Sequence, residues 1–123
     1  MKKLVLLIPL ILLVAGCVFQ IPDVSGTWKG QLRWDDGDTT DFTLVIHQDE
    51  DMPWKIGGTF NGLPMEGNVN EFGHIEMKFN YPGLVYKLKL AGSVSGDSMS
   101  GDFYLEITTS GDQHMGTWSA SRE

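Results

Sequence analysis

Cys17 is the one thiol of the chain, and it stands directly behind Val14-Ala15-Gly16. A lone cysteine cannot close an intrachain disulfide, so its chemistry is that of a buried thiol or of a thiol modified in place. Other groups able to do chemistry are less pointed. The three histidines, His47, His74 and His114, have no metal-ligand spacing such as His-x-x-x-His. Their polar parity predicts surface histidines. Asp35-Asp36-Gly37-Asp38 is rich in acids, like a calcium loop, but lacks the remaining ligands and the distal Glu. It reads as a solvated hairpin turn, and so does Asp49-Glu50-Asp51. No nucleophile elbow, phosphate loop or Cys–His arrangement occurs. Two carboxylates can meet across strands to hydrolyse a glycoside, yet nothing singles out one pair from 16 acids. These patterns nominate no catalytic residue, no metal ligand and no cofactor. The sequence reads as a binding or interaction protein, not an enzyme.

The setting of Cys17 is more informative than its reactivity. Met1-Lys2-Lys3 is basic, Leu4–Ala15 is apolar, and small residues follow. That order predicts a secretory signal peptide over residues 1–16. The apolar run is too short to span a bilayer, which takes about 20 residues. Val14-Ala15-Gly16-Cys17 resembles a bacterial lipobox. The resemblance implies acylation of the Cys17 thiol and cleavage just before it. Acyl chains then hold the protein on the membrane at about 0.8 kcal/mol per buried methylene. Residues 17–23 become the lipidated cysteine and a short tether, which reaches about 20 Å when extended. In Gram-negative lipoproteins an Asp after the cysteine resembles an inner-membrane retention signal. Val18 is not Asp, which implies the outer membrane in a Gram-negative cell and otherwise the outer face of the cytoplasmic membrane.

Charge narrows the partners. Losing Lys2 and Lys3 from nine basic residues set against 16 acids leaves the mature chain at −9. Nucleic acid is excluded as a partner, because phosphate binding needs basic patches. Broad attraction to anionic headgroups is excluded too, so the anchor must supply the membrane affinity.

Residues 24–123 carry one domain of short strands. Period-two alternation recurs, and turn signals interrupt it every eight to twelve residues or so. The strands are expected at Val24–Trp34, Thr40–Gln48, Trp54–Asn61, Met65–Val69, His74–Asn80, Leu84–Val94, Met99–Thr108 and Met115–Ser121. Gly62-Leu63-Pro64 is the expected turn between the third and fourth. Each link is of hairpin length and none offers a crossover helix, so neighbours pair antiparallel. The fold class is therefore all-β, an eight-stranded antiparallel up-and-down barrel, with a sandwich as the rival. Glycines inside strands (Gly30, Gly57, Gly58, Gly92, Gly101) suit the bends of a tightly curled barrel. Parity places Val24, Trp28, Leu32, Trp34, Phe42, Leu44, Ile46, Trp54, Ile56, Phe60, Ile75, Met77, Phe79, Leu84, Tyr86, Leu88, Leu90, Phe103, Leu105 and Ile107 inside. A barrel this narrow is either filled by its side chains or holds one small ligand.

Gly26-Thr27-Trp28 recurs as Gly116-Thr117-Trp118 on the two strands that must meet to close the ring. Gly26-x-Trp28 at the start of the first strand resembles the lipocalin signature, and the calycin superfamily more broadly. In lipocalins that Trp plugs one barrel end and a late Arg packs across it. The resemblance implies an end plug of Trp28, Trp118 and Arg122, with Arg122 as a cation–π partner worth roughly 0.5–2 kcal/mol. The chain departs from typical lipocalins in being shorter and in lacking the C-terminal helix and the disulfide. Ser25–Leu32 also resembles the opening of avidin-type proteins, but Gly30 stands where those have a polar ligand contact. Fatty-acid-binding proteins open with Gly-Thr-Trp-Lys as well, yet need a two-helix lid where this chain turns through Asp35–Asp38.

The sequence thus implies a lipid-anchored envelope protein whose lipocalin-like barrel takes a small apolar or amphipathic ligand at its mouth. Trp34, Trp54, Tyr86 and Phe103 are the expected wall residues. The acidic balance favours a neutral or cationic ligand. The alternative is a filled barrel that contacts or inhibits another envelope protein.

Overall fold

A computed structural model describes residues 20–80 and 86–123. The signal peptide, Cys17 and Val18 lie outside the described residues, as does Leu84. The strands are β1 (Gly26–Trp34), β2 (Thr39–Gln48), β3 (Lys55–Phe60), β4 (Leu63–Val69), β5 (His74–Asn80), β6 (Tyr86–Ser95), β7 (Ser98–Ile107) and β8 (Gln113–Arg122). Each pairs antiparallel with the next, and β8 returns to β1 with Trp28 opposite Arg122 and Trp34 opposite Gly116. The result is a closed eight-stranded up-and-down barrel. No helix occurs among the described residues.

Alternation drives this closure. On β2, Phe42, Leu44 and Ile46 are buried while Asp41 and His47 are exposed. On β5, Ile75, Met77 and Phe79 are buried while His74 and Lys78 are exposed. Every strand contributes to one apolar core, and each large side chain removed from water is worth about 1.5–3 kcal/mol. Among the described residues no polar or charged residue is buried.

Turn chemistry sets the register and moves one boundary. The β3–β4 hairpin turns at Asn61-Gly62, with φ of 49° and 82°. Two positive φ angles make a type I′ turn, the form that matches strand twist. The turn is therefore not Gly62-Leu63-Pro64, and β4 starts at Leu63 instead of Met65. Pro64 is tolerated inside β4 because the β4–β5 ladder begins only at Glu66, so no neighbour there needs its missing N–H. On β6 and β7 Gly92 faces Gly101. A Cβ at Gly101 would run into the Ala91 carbonyl. That same carbonyl accepts the Trp118 indole N–H at 3.2 Å, so the bare glycine lets Trp118 lie across β7.

The meander sorts its links to two ends. Residues 20–25 and the turns 49–54, 70–73 and 96–97 gather at one, here called the closed end. The turns 35–38, 61–62 and 108–112 lie at the other, the mouth.

Candidate functional site

The mouth is built differently on its two sides. On the β2–β5 side three phenylalanines close it. Phe42 stacks on Phe60 at 4.9 Å, Phe60 meets Phe79 at 4.6 Å, and all three are buried. On the side formed by β1, β8, β7 and β6 Phe103 is buried and the rest of the lining is partly exposed. Trp34, the last residue of β1, is placed by the turn that follows it. Its N–H donates to the Asp38 carbonyl at 2.8 Å, and its carbonyl accepts the Gly37 N–H at 3.0 Å. Its indole N–H donates to the Thr40 hydroxyl at 2.9 Å. The indole meets the Phe103 ring edge-on at 4.9 Å and the His114 ring edge-on at 6.1 Å. Leu88, Leu105 and Ile107 share this wall, each partly buried. Tyr86 pairs with Ile107 at the rim and is 44% exposed.

Three of the four expected wall residues, Trp34, Tyr86 and Phe103, therefore lie at the mouth. Trp54 does not. It precedes β3 at the closed end and is 49% exposed. Strand parity stops at Lys55, where β3 begins, so the alternation that carries Ile56 and Phe60 inward does not extend to Trp54. His114 departs from the expectation of a surface histidine. It pairs with Leu105, shares the inward parity of Gly116 and Trp118, and is partly buried against Trp34. Counting back from Trp118 was the sequence signal for it. His47 and His74 are exposed.

The mouth thus presents flat aromatic and branched aliphatic surface with one imidazole. Asp35, Asp36 and Asp38 stand on the adjoining turn, all exposed. Apolar contact with one oriented polar group is the composition of small-molecule sites, and the nearby carboxylates favour neutral or cationic groups. Among the described residues no three His, Cys, Asp or Glu side chains come together as metal ligands.

The closed end is tied shut. Trp28 is wholly buried, and its indole N–H donates to the Val24 carbonyl at 3.0 Å. The Arg122 guanidinium lies 4.7 Å from the centre of the Trp28 ring. It donates to the Asp97 carboxylate at 2.9 Å and to the carbonyls of Ser25, Asp23 and Gly96 at 2.8, 3.0 and 3.1 Å. Gln48 adds a second clasp. Its carboxamide oxygen accepts the Val24 N–H at 3.0 Å, and its nitrogen donates to the Pro22 and Pro53 carbonyls at 3.0 and 2.6 Å. The Asp23 carboxylate accepts the Ser25 hydroxyl and N–H. These hydrogen bonds, with Arg122 close by, hold its pKa below the usual aspartate value. Trp118 sits four positions along from Trp28, opposite Leu32. It fills the middle of the barrel, away from the plug.

The outer wall carries paired charges. Lys89 and Glu76 meet at 2.8 Å, and that hydrogen bond with the lysine charge lowers the Glu76 pKa. A shallow outer groove of about 480 Å³ runs beside Gly30, between Lys29, Gln31, Asp41 and Thr43.

No family model matches the chain, and no curated protein matches it. The chain is similar to the solved structure of EF1p2_mFAP2b bound to DFHBI, at 17% identity and a TM-score of 0.56. The similarity covers 89% of this chain and 96% of that one. At this identity the likeness shows the barrel fold.

Proposed function

We propose that the protein is an envelope lipoprotein whose barrel holds a small apolar or amphipathic ligand at the half-open side of its mouth. The observation that supports this is the partly exposed Trp34, set edge-on to Phe103 and His114 beside Leu88, Leu105 and Ile107. A neutral or cationic aromatic stacks on Trp34 and sets a polar atom toward the His114 imidazole, while the Phe42–Phe60–Phe79 side limits how deep it enters. The barrel does so as a carrier, with no reaction and no cofactor of its own. That the similar solved structure holds DFHBI supports the reading at the level of the fold.

Native mass spectrometry of the full chain, extracted in mild detergent, tests the carrier role. A retained small molecule that is lost in Trp34→Ala is the expected result. No retained molecule, together with no Trp34-dependent binding of the neutral dye Nile red, overturns it. The buried phenylalanine triad favours a second reading, a filled barrel whose rim contacts another envelope protein. Under that reading the dye finds no site.

The anchor part places the protein on the membrane through an acylated Cys17. In a Gram-negative cell this is the outer membrane, and otherwise the outer face of the cytoplasmic membrane. Cys17→Ser is expected to move the protein from the membrane fraction to the soluble fraction. Retention of that variant would falsify the anchor.

A further inference from the structure

We propose that the closed end is a membrane-contact face, with Met52, Trp54 and Phe72 seated in the interfacial layer of a zwitterionic bilayer. The proposal rests on the lipid-anchor reading. Phe72 is 76% exposed, Trp54 49% and Met52 36%. The three sit on two neighbouring turns. The Lys55 N–H donates to the Met52 carbonyl, and the Val69 N–H donates to the Trp54 carbonyl, both at 2.9 Å. The Asn70 carboxamide oxygen accepts the N–H groups of Phe72 and His74 at 2.9 and 3.0 Å. Phe72 is thus held outward at the tip of a built turn, in contact with water.

The chain enters at this same end. Gln48 fixes the Pro22 carbonyl and the Val24 N–H, and Arg122 fixes the Asp23 and Ser25 carbonyls. Only residues 18–21 separate Cys17 from Pro22, the first residue held by a hydrogen bond, a span of about 17 Å when extended. The polar layer on each side of a bilayer is about 5–8 Å thick. An acylated Cys17 therefore keeps the two turns within reach of the interface, where aromatic side chains settle. The other exposed large apolar residues among the described ones, Leu63, Tyr86 and Met115, stand at the mouth on β4, β6 and β8, which are not adjacent, so they form no such group.

Charge decides which lipid. Asp49, Glu50 and Asp51 share the turn with Met52, and Glu71 precedes Phe72; all four are exposed. They repel anionic headgroups over about a Debye length. The face suits zwitterionic lipid and tolerates anionic lipid only when salt screens it.

Tryptophan quenching reads the contact. The full chain is reconstituted into phosphatidylcholine vesicles with brominated acyl chains. The expected result is quenching that is mostly lost in Trp54→Phe, weakened in Phe72→Ser and kept in Trp34→Phe. Replacing the lipid with brominated phosphatidylglycerol is expected to reduce the quenching, and high salt to restore it. Trp54 lies outside the strands, so Trp54→Phe leaves the barrel intact. If the chain stays on the vesicles but Trp54→Phe changes nothing, the contact face is overturned while the anchor stands. If the wild-type chain leaves the vesicles, both are overturned.

Discussion

Trp28 and Trp34 sit on one strand, six residues apart, and are held in opposite ways. Trp28 is wholly buried under the Arg122 guanidinium, and its N–H meets a backbone carbonyl. Trp34 is partly exposed, and its N–H meets the hydroxyl of Thr40, which is itself exposed. At the closed end an arginine, a glutamine and the chain's own lead-in satisfy the polar groups around the ring. At the mouth the Phe103 and His114 rings meet the indole edge-on, and Leu88, Leu105 and Ile107 beside them are partly exposed. Fully satisfied buried networks rigidify, whereas partly exposed aromatic surface is what a ligand can cover. The difference fits stability at one end and, under the proposed function, recognition at the other.

The largest expected effect falls on the closed end. Trp28→Ala should destabilise the domain by about 3–5 kcal/mol, as a core truncation that also strands the Val24 carbonyl. Arg122→Ala comes next, at about 2–3 kcal/mol, because it removes the cation–π contact and hydrogen bonds to both the lead-in and the β6–β7 turn. Arg122→Lys should recover only part of that loss, since an ammonium cannot reproduce the fork. Chemical denaturation measures all three. Equal midpoints for wild type and Arg122→Ala would mean that the closed end is not tied as described.

The mouth should behave in reverse. Trp34→Ala is expected to cost about 1 kcal/mol or less, since the side chain is only partly covered. It should nonetheless abolish binding of Nile red, the probe of the wall. The comparison breaks if Trp34→Ala unfolds the barrel, or if Trp28→Ala and Trp34→Ala shift the midpoint equally.

The ring was legible because alternation and hairpin-length links leave few other ways to bury these faces. Which end a residue occupies was legible too, though it takes one more step. Odd strands run from the closed end to the mouth, and even strands run back. Trp54 stands just before the third strand and so lies at the closed end. His114 stands near the start of the eighth and so lies at the mouth. Parity alone treats both as anonymous positions on a strand. The phenylalanine triad was not legible, because it depends on how Phe42, Phe60 and Phe79 from three strands meet across the interior. The Arg122–Trp28 contact was implied by the lipocalin resemblance, but the hydrogen bonds of Arg122 and Gln48, which join residues up to 99 positions apart, were not, because no local pattern encodes them. The β4 start was missed through Pro64, which reads as a breaker until the short β4–β5 ladder is known.

Acid should test the closed end and the outer wall most gently. Asp23 and Glu76 both have folded pKa values below their ordinary ones, Asp23 through Ser25 and Glu76 through Lys89. Depressed carboxylate values stabilise the fold wherever the unfolded chain would bind more protons. That stability is fully present above the unfolded values, so it is intact at neutral pH. It is lost as pH falls through the lower, folded values. Both groups are solvent-facing, so the loss is small. Asp23→Asn should flatten the acid limb of a plot of denaturation midpoint against pH by slightly lowering the neutral plateau while leaving the acid end nearly unchanged. Glu76→Gln should do the same independently, because the two carboxylates sit on separate parts of the barrel and share no partner. An acid limb unaltered in both variants would remove these carboxylates from the account and leave apolar burial and the Arg122 clasp to hold the closed end by themselves.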